Sequence, residues 1–244
     1  MPPSWFPGAP LCVTDTVGIS TGSVRLEGSL DLPPEPRGVV LLNHRERSAR
    51  RRTQLRDLLN EALLKAGFAT LLVDLLTDGE EMFLTSRTDE ALGGERLFAA
   101  TRWLATDPRT AALDIGCVGE GAGVPATLLA ATRPDSGIRA IVTHGGRPHH
   151  AGATLEAVQV PTLMLMGGED SDGLESGRKA AMRLRGKSQV FVIPGTSHRF
   201  AESGAAEELA RHSVRWFTEH LAAGDPQRPG IRSEIAAGRH AQTG

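Results

Sequence analysis

Three short loops of this 244-residue chain carry the residue types that could do chemistry. Gly119-Glu120-Gly121-Ala122-Gly123 follows the apolar run Asp114 to Val118 and precedes a helix-forming stretch, so it reads as a strand, a sharp turn and a helix. A turn written G-x-S-x-G lifts a serine above the sheet edge beside helix N-terminal amides, ready to attack a carbonyl. In this chain the third place is Gly121, which has no side chain to attack with. The scaffold of a nucleophile elbow is present and its reagent is absent. Further on, Gly167-Gly168-Glu169-Asp170 and Pro194-Gly195-Thr196-Ser197-His198 each follow another apolar run. An elbow, then Asp, then His is the order in which an acid holds an imidazole's tautomer and the imidazole handles a proton. Either residue alone is an ordinary turn carboxylate or surface histidine. Together, each just past a predicted strand, they point to hydrolytic machinery without its nucleophile.

The elements that must position these loops are legible from apolar patterning. Strands are predicted at Val24 to Leu32, Gly38 to Asn43, Ala69 to Asp74, Asp114 to Val118, Ile138 to Thr143, Pro161 to Met166 and Gln189 to Ile193. Their continuous apolarity indicates burial on both faces. Helices are predicted near Arg51 to Ala66, Leu92 to Ala105, Gly123 to Ala131, Glu175 to Leu184 and Ala205 to Leu221. In the last, Leu209, His212, Val214, Trp216, Phe217 and Leu221 form roughly one face. Short strands alternating with longer helices predict an α/β fold with a doubly wound, mostly parallel sheet and helices on both faces. Ligands bind such sheets at the carboxyl ends of the strands, where the three loops lie. Residues 1–12, with four prolines and no charge, and 224–244 read as loose ends flanking a single domain over 13–223.

Composition narrows the function classes. The 27 Lys+Arg against 29 Asp+Glu leave no basic excess for nucleic acid. Zero tyrosines exclude a phenolic acid or nucleophile, and two cysteines, Cys12 and Cys117, exclude a disulfide framework or zinc knuckle. No apolar run reaches the length of a membrane span and no signal peptide opens the chain, so a cytoplasmic location without membrane contact is expected. His144, His149 and His150 lack a matching carboxylate spacing for a metal, and adjacent histidines in a loop point in different directions. The reading needs neither a metal nor a cofactor.

Substitutes for the missing serine are few. Cys117 lies four residues before Gly121 on the strand itself, where a thiol is buried and inert. Glu120 adjoins the apex, but making it the apex would put Val118 and Ala122 at the tight flanking positions. Water polarised by His198 could attack directly, forfeiting covalent catalysis. A dinucleotide site is disfavoured because the glycines lack G-x-G-x-x-G spacing, and no lysine follows to make a P-loop. Arg45, Arg47, Arg50, Arg51, Arg52 and Arg56 could grip an anion at a helix start. A solvated face neutralised by Glu46, Asp57 and Glu61 is the favoured reading.

From about Val24 to Leu221 the chain resembles the dienelactone hydrolase-like branch of the α/β-hydrolases. The resemblance rests on Val39-Val40-Leu41-Leu42-Asn43-His44, on Leu71-Leu72-Val73-Asp74-Leu75-Leu76-Thr77, on the Gly119 to Gly123 turn, on Gly145-Gly146-Arg147-Pro148, and on the loops ending at Asp170 and His198. It implies an α/β-hydrolase fold with Asp170 and His198 as acid and base of a hydrolase of small esters or lactones. His44, Arg45, Glu120 and Ala122 would line the pocket, and backbone N–H groups there would bind an oxyanion. The chain departs from the family at two places. The family has Ser or Cys where Gly121 stands, and a glycine-rich loop where this chain reads Arg45-Glu46-Arg47-Ser48.

The magnitude at stake is large: removing the nucleophile of subtilisin costs about two million-fold in turnover. A protein lacking it is expected to bind a small molecule, anionic ones included, or to run an atypical reaction through the Asp170 and His198 pocket. The alternative is a small-ester or lactone hydrolase whose nucleophile at 121 has been removed, Gly-Glu-Ser-Ala-Gly being one codon away. The altered Arg45 to Ser48 loop favours natural loss. No nucleic-acid partner is expected, and a homodimer is left open.

Overall fold

The computed structural model describes residues 12–44, 54–83 and 89–221. Its strands are β1 (Val13–Thr21), β2 (Val24–Leu32), β3 (Val39–His44), β4 (Ala69–Asp74), β5 (Ile115–Glu120), β6 (Ile138–His144), β7 (Thr162–Gly167) and β8 (Ser188–Ile193). They form one sheet in the order β1-β2-β4-β3-β5-β6-β7-β8. From β4 to β8 every neighbouring pair is parallel, while β1 with β2 and β2 with β4 run antiparallel. The expected doubly wound, mostly parallel sheet is therefore present.

The helices are α1 (Gln54–Lys65), α2 (Asp78–Glu81), α3 (Glu90–Thr106), α4 (Val124–Ala131), α5 (Ser171–Ala181) and α6 (Ala205–His220), with a 3₁₀ turn at Gly121–Gly123 and a 3₁₀ stretch over Pro148–Ala157. Leu55, Leu59 and Leu63 recur every fourth residue along α1 and are buried with Trp216 and Phe217 of α6 on one side of the sheet. Leu97, Ala100 and Leu104 of α3, with Val124 and Leu128 of α4 and Ala180 of α5, cover the other side. Strands sandwiched this way must be largely apolar on both faces, which is why β3 to β7 read as mostly apolar runs, with Arg139 of β6 exposed.

Several expectations are corrected. β1 lies outside the predicted strands: Val13-Thr-Asp-Thr-Val-Gly-Ile-Ser-Thr is an edge strand, mostly polar, with Val17 and Ile19 buried. The helix expected from Glu175 begins at Ser171, because the Asp170 carboxylate accepts the Gly173 N–H at 3.0 Å and caps it. The apolar face of α6 is Leu209, Ser213, Trp216 and Phe217, with Ser213 satisfied by the Leu209 carbonyl at 2.8 Å; Val214 is only half-buried. His149 and His150 belong to the 3₁₀ stretch, not to a loop, and their rings meet edge-on with centroids 4.4 Å apart.

The topology fixes where a ligand can sit. From β3 the chain passes over one face to β4 on one side, then over the other face to β5 on the opposite side. The connections diverge between β3 and β5, so a crevice opens outside their carboxyl ends. Gly121 stands at the end of β5 in that crevice. Among the described residues no helix is long and apolar enough to cross a membrane.

Candidate active site

The turn after β5 is held from below. Asn43, near the end of β3 and buried, donates through Nδ2 to the Val118 carbonyl at 2.6 Å and to the Thr127 hydroxyl at 2.9 Å. Thr127 in turn donates to the Gly123 carbonyl at 3.0 Å. One amide thus pins β3, β5 and the first turn of α4 together, and the chain has no slack as it leaves β5. Gly121 is left at the crown of the bend with φ +51°, and a Cβ built there would meet no atom of a described residue within 4 Å. A left-handed backbone at such a crown is the setting of a nucleophile on a strand-to-helix turn, and in this chain the position holds no side chain.

The loop after β6 is wedged against that crown. A Cβ on Gly146 would fall inside the carbonyl group of Gly121, so residue 146 must be glycine for the two turns to touch. A Cβ on Gly145 would lie 2.9 Å from the His198 carbonyl oxygen and 3.9 Å from the Gly121 nitrogen. The Gly121 crown and the His198 loop therefore flank the same glycine. The loops after β7 and β8 are zipped together as well, Gly168 N–H donating to the Ile193 carbonyl at 2.8 Å and Glu169 N–H to the Thr196 carbonyl at 3.0 Å. Gly121, Asp170 and His198 are brought to one end of the sheet on adjoining loops.

Within that cluster the side chains are partnered in a way the sequence does not announce. Asp170 receives both ends of the Arg147 guanidinium, Nη1 to Oδ2 and Nη2 to Oδ1, each at 3.0 Å, and also caps α5. Its side chain is 9% exposed, against 30% for Arg147. His198 is exposed, and its imidazole makes no hydrogen bond with any described residue. Arg147 appears in the sequence only inside Gly145-Gly146-Arg147-Pro148, and nothing local to it signals a partner 23 residues away.

Behind the elbow, Glu120 pairs with Arg56 of α1 at 3.4 Å, beside the buried His144 at the end of β6. Glu120 and His144 are register partners in the sheet. Burial holds the His144 imidazole below its usual range, opposed by Glu120 and reinforced by Arg56, so it stays neutral at physiological pH. Its ring meets Phe200 edge-on at 5.6 Å. Leu42, Asn43, Leu55, Leu59 and Val118 close a small cavity around these groups. Cys117 is fully buried, and desolvation pushes its thiol up to about 12, which leaves it protonated. Ala122 is exposed at the crown. His44 ends β3 beside Asp74 of β4, and Arg45 lies outside the described residues. No group of His, Cys, Asp and Glu among the described residues is arranged to hold a metal ion.

The dienelactone hydrolase family model matches residues 51–221. The chain belongs to the dienelactone hydrolase family. Its structure is similar to the crystal structure of a dienelactone hydrolase from Anabaena variabilis, with 36% sequence identity and a TM-score of 0.81 over 86% of this chain and 99% of that one. A dienelactone hydrolase-like promiscuous phosphotriesterase from metagenomic libraries shares the fold at 18% identity, with a TM-score of 0.71 over 86% of this chain and 99% of that one. Two proteins of Mycobacterium tuberculosis, from two strains and each carrying the name "putative phosphoribosyl transferase", are 41% identical over 212 residues, 87% of this chain. The match covers 48% of those proteins, so the chain spans about half the length of the curated relatives it matches. Gly121, Asp170 and His198 follow β5, β7 and β8 of this family's sheet.

Proposed function

We propose that this member of the dienelactone hydrolase family binds a small ester, lactone or carboxylate over the Gly121 crown and does not hydrolyse it through a covalent intermediate. One observation carries the reading: the apex of the elbow is a glycine, and no described residue occupies the space where its side chain would stand. Among the described residues, neither Cys117 nor Glu120 supplies a replacement, since the Cys117 thiol is buried and protonated and Glu120 is engaged by Arg56. Oxyanion-type donors and binding alone give roughly a thousand-fold to ten-thousand-fold over water in the subtilisin case, a residue of catalysis well below an intact triad.

The name of the mycobacterial proteins belongs to chains about twice as long as the matched stretch, and in this protein that stretch folds as the sheet of the dienelactone hydrolase family.

The test uses the full chain. Calorimetric titration with γ-valerolactone and with short-chain carboxylates is expected to show saturable binding that Gly121→Trp abolishes by filling the crown. Turnover of p-nitrophenyl acetate is expected to be unchanged by His198→Ala. Turnover that His198→Ala abolishes would overturn the non-hydrolytic reading, and absence of any binding would overturn the pocket.

A second reading, a small-ester or lactone hydrolase stripped of its nucleophile, is favoured by the φ of +51° at Gly121. Left-handed backbone at an elbow is the conformation a serine there must adopt, and the chain keeps it. A gain of several orders of magnitude in esterase activity in Gly121→Ser would support this reading.

A further inference from the structure

We propose that Arg147 is the residue that sets the role of Asp170: its guanidinium holds the carboxylate at the rim, and His198 is left as an imidazole without an acid behind it. The inference rests on reading Gly121, Asp170 and His198 as the remains of a hydrolytic triad, and it makes the site silent at two positions instead of one.

The geometry is that of a filled carboxylate. An ionised Asp accepts through about four lone-pair sites. At Asp170 two are taken by the parallel N–H groups of Arg147 and a third by the Gly173 N–H, each at 3.0 Å. Planar fork-to-carboxylate pairing is the strongest arrangement available to either group, and the near-complete burial of the Asp170 side chain makes a counter-charge obligatory. An imidazole N–H is neutral, offers one bond, and would have to displace the fork or share its oxygens. His198, exposed on the next loop, takes no such bond.

The fork is also anchored. Arg147 Nη1 donates to the Gly146 carbonyl at 2.9 Å, and Gly146 is locked against Gly121. Arg147 thus reaches Asp170 from a loop that cannot retreat without breaking the crown. A triad needs the opposite arrangement, with the carboxylate given to the imidazole to hold its tautomer and stabilise the imidazolium. Loss of that service in a serine protease lowers kcat about ten-thousand-fold. Arg147 is on this account a positioning residue, acting on His198 only through Asp170.

The direct readout is the imidazole N–H proton of His198 by NMR. An Asp–His hydrogen bond gives this proton a far-downfield, slowly exchanging signal, which an exposed imidazole lacks. The signal is expected to be absent in the wild-type chain, to appear in Arg147→Met, and to vanish again in Arg147→Met/Asp170→Asn. Arg147→Lys, which keeps the charge and loses the fork, carries the same readings should the Met variant fail to fold. A signal already present in the wild type and removed by Asp170→Asn would overturn the proposal, as would its absence from both Arg147 variants. In the Gly121→Ser background, Arg147→Met is expected to raise kcat for p-nitrophenyl acetate on the order of tenfold or more with KM little changed; an equal kcat would also count against it. The NMR signal does not depend on hydrolysis, so it separates failure of this inference from failure of the binding reading, which the unmodified chain tests.

Discussion

Gly146 lies against Gly121 so closely that no side chain fits between the loop after β6 and the crown of the β5 turn. Both residues have positive φ, +68° and +51°, but only one is crowded. The two positions should therefore respond differently to the same change. Gly121→Ala carries only the left-handed backbone strain, about 1–2 kcal/mol. Gly146→Ala carries that strain and a backbone overlap, so its cost should be at least about 3 kcal/mol. At roughly 2–4 °C per kcal/mol for a chain of this size, thermal unfolding should separate the two variants clearly. Equal midpoints would mean that the loops part easily and that Gly146 does not lock the crown.

The loop after β4 offers a test by pH. Arg96, on α3 and 4% exposed, grips Glu80 at 2.7 and 2.6 Å while donating to the Leu75 carbonyl at 2.5 Å. That hydrogen-bonded pairing, opposed by burial and aided by the Thr77 N–H and hydroxyl, brings the Glu80 carboxyl down from 4.5 to about 2. A carboxyl that is more acidic in the folded chain stabilises it above pH 4.5, and the stabilisation fades as pH falls from about 4.5 toward 2. Glu80 is 28% exposed, so solvent screening limits the contribution to about 1–2 kcal/mol. The stability gap between the wild type and Glu80→Gln, measured by urea unfolding, should lose more than half its pH 7 value by pH 3. A gap that does not change with pH would remove the ion pair as its source.

What could be read from the chain beforehand follows from the range of the physics involved. β3 to β7 announce themselves because burial on both faces makes them continuously apolar, and Gly121 because a turn's residues are consecutive. β1 leaves a weak apolar signal because an edge strand needs only Val17 and Ile19 facing inward. The cap of α5 was legible in principle, since Asp170 and Gly173 stand at N-cap spacing. The Arg147 fork and the Arg96 clamp were not legible, because each joins residues 23 or 16 positions apart that only the folded loops bring together.

Cys117 provides a chemical check on the elbow's interior. With the thiol pushed up to about 12, about one molecule in ten thousand carries a thiolate there at pH 8. Burial blocks even that fraction from reagent. Native protein should release chromophore from a disulfide reagent at Cys12 alone, which is partly exposed, and at Cys117 only after unfolding. Two thiols reacting at similar rates would show that the strand beneath Gly121 opens far more readily than its packing implies.

Asn43 should behave as one member of a coupled unit. Asn43→Ala leaves the Val118 carbonyl and the Thr127 hydroxyl without their donor and is expected to cost about 2–3 kcal/mol. Thr127→Val removes the acceptor of one of those bonds and the donor to Gly123, for about 1–2 kcal/mol. Because both changes delete the same Asn43 to Thr127 bond, the double variant should be less destabilised than the two single costs added together, by about 0.5–1 kcal/mol. Strict additivity in a double-mutant cycle would mean that the two side chains support the turn separately. The crown at Gly121 would then owe its conformation to the glycines and the β6 loop alone.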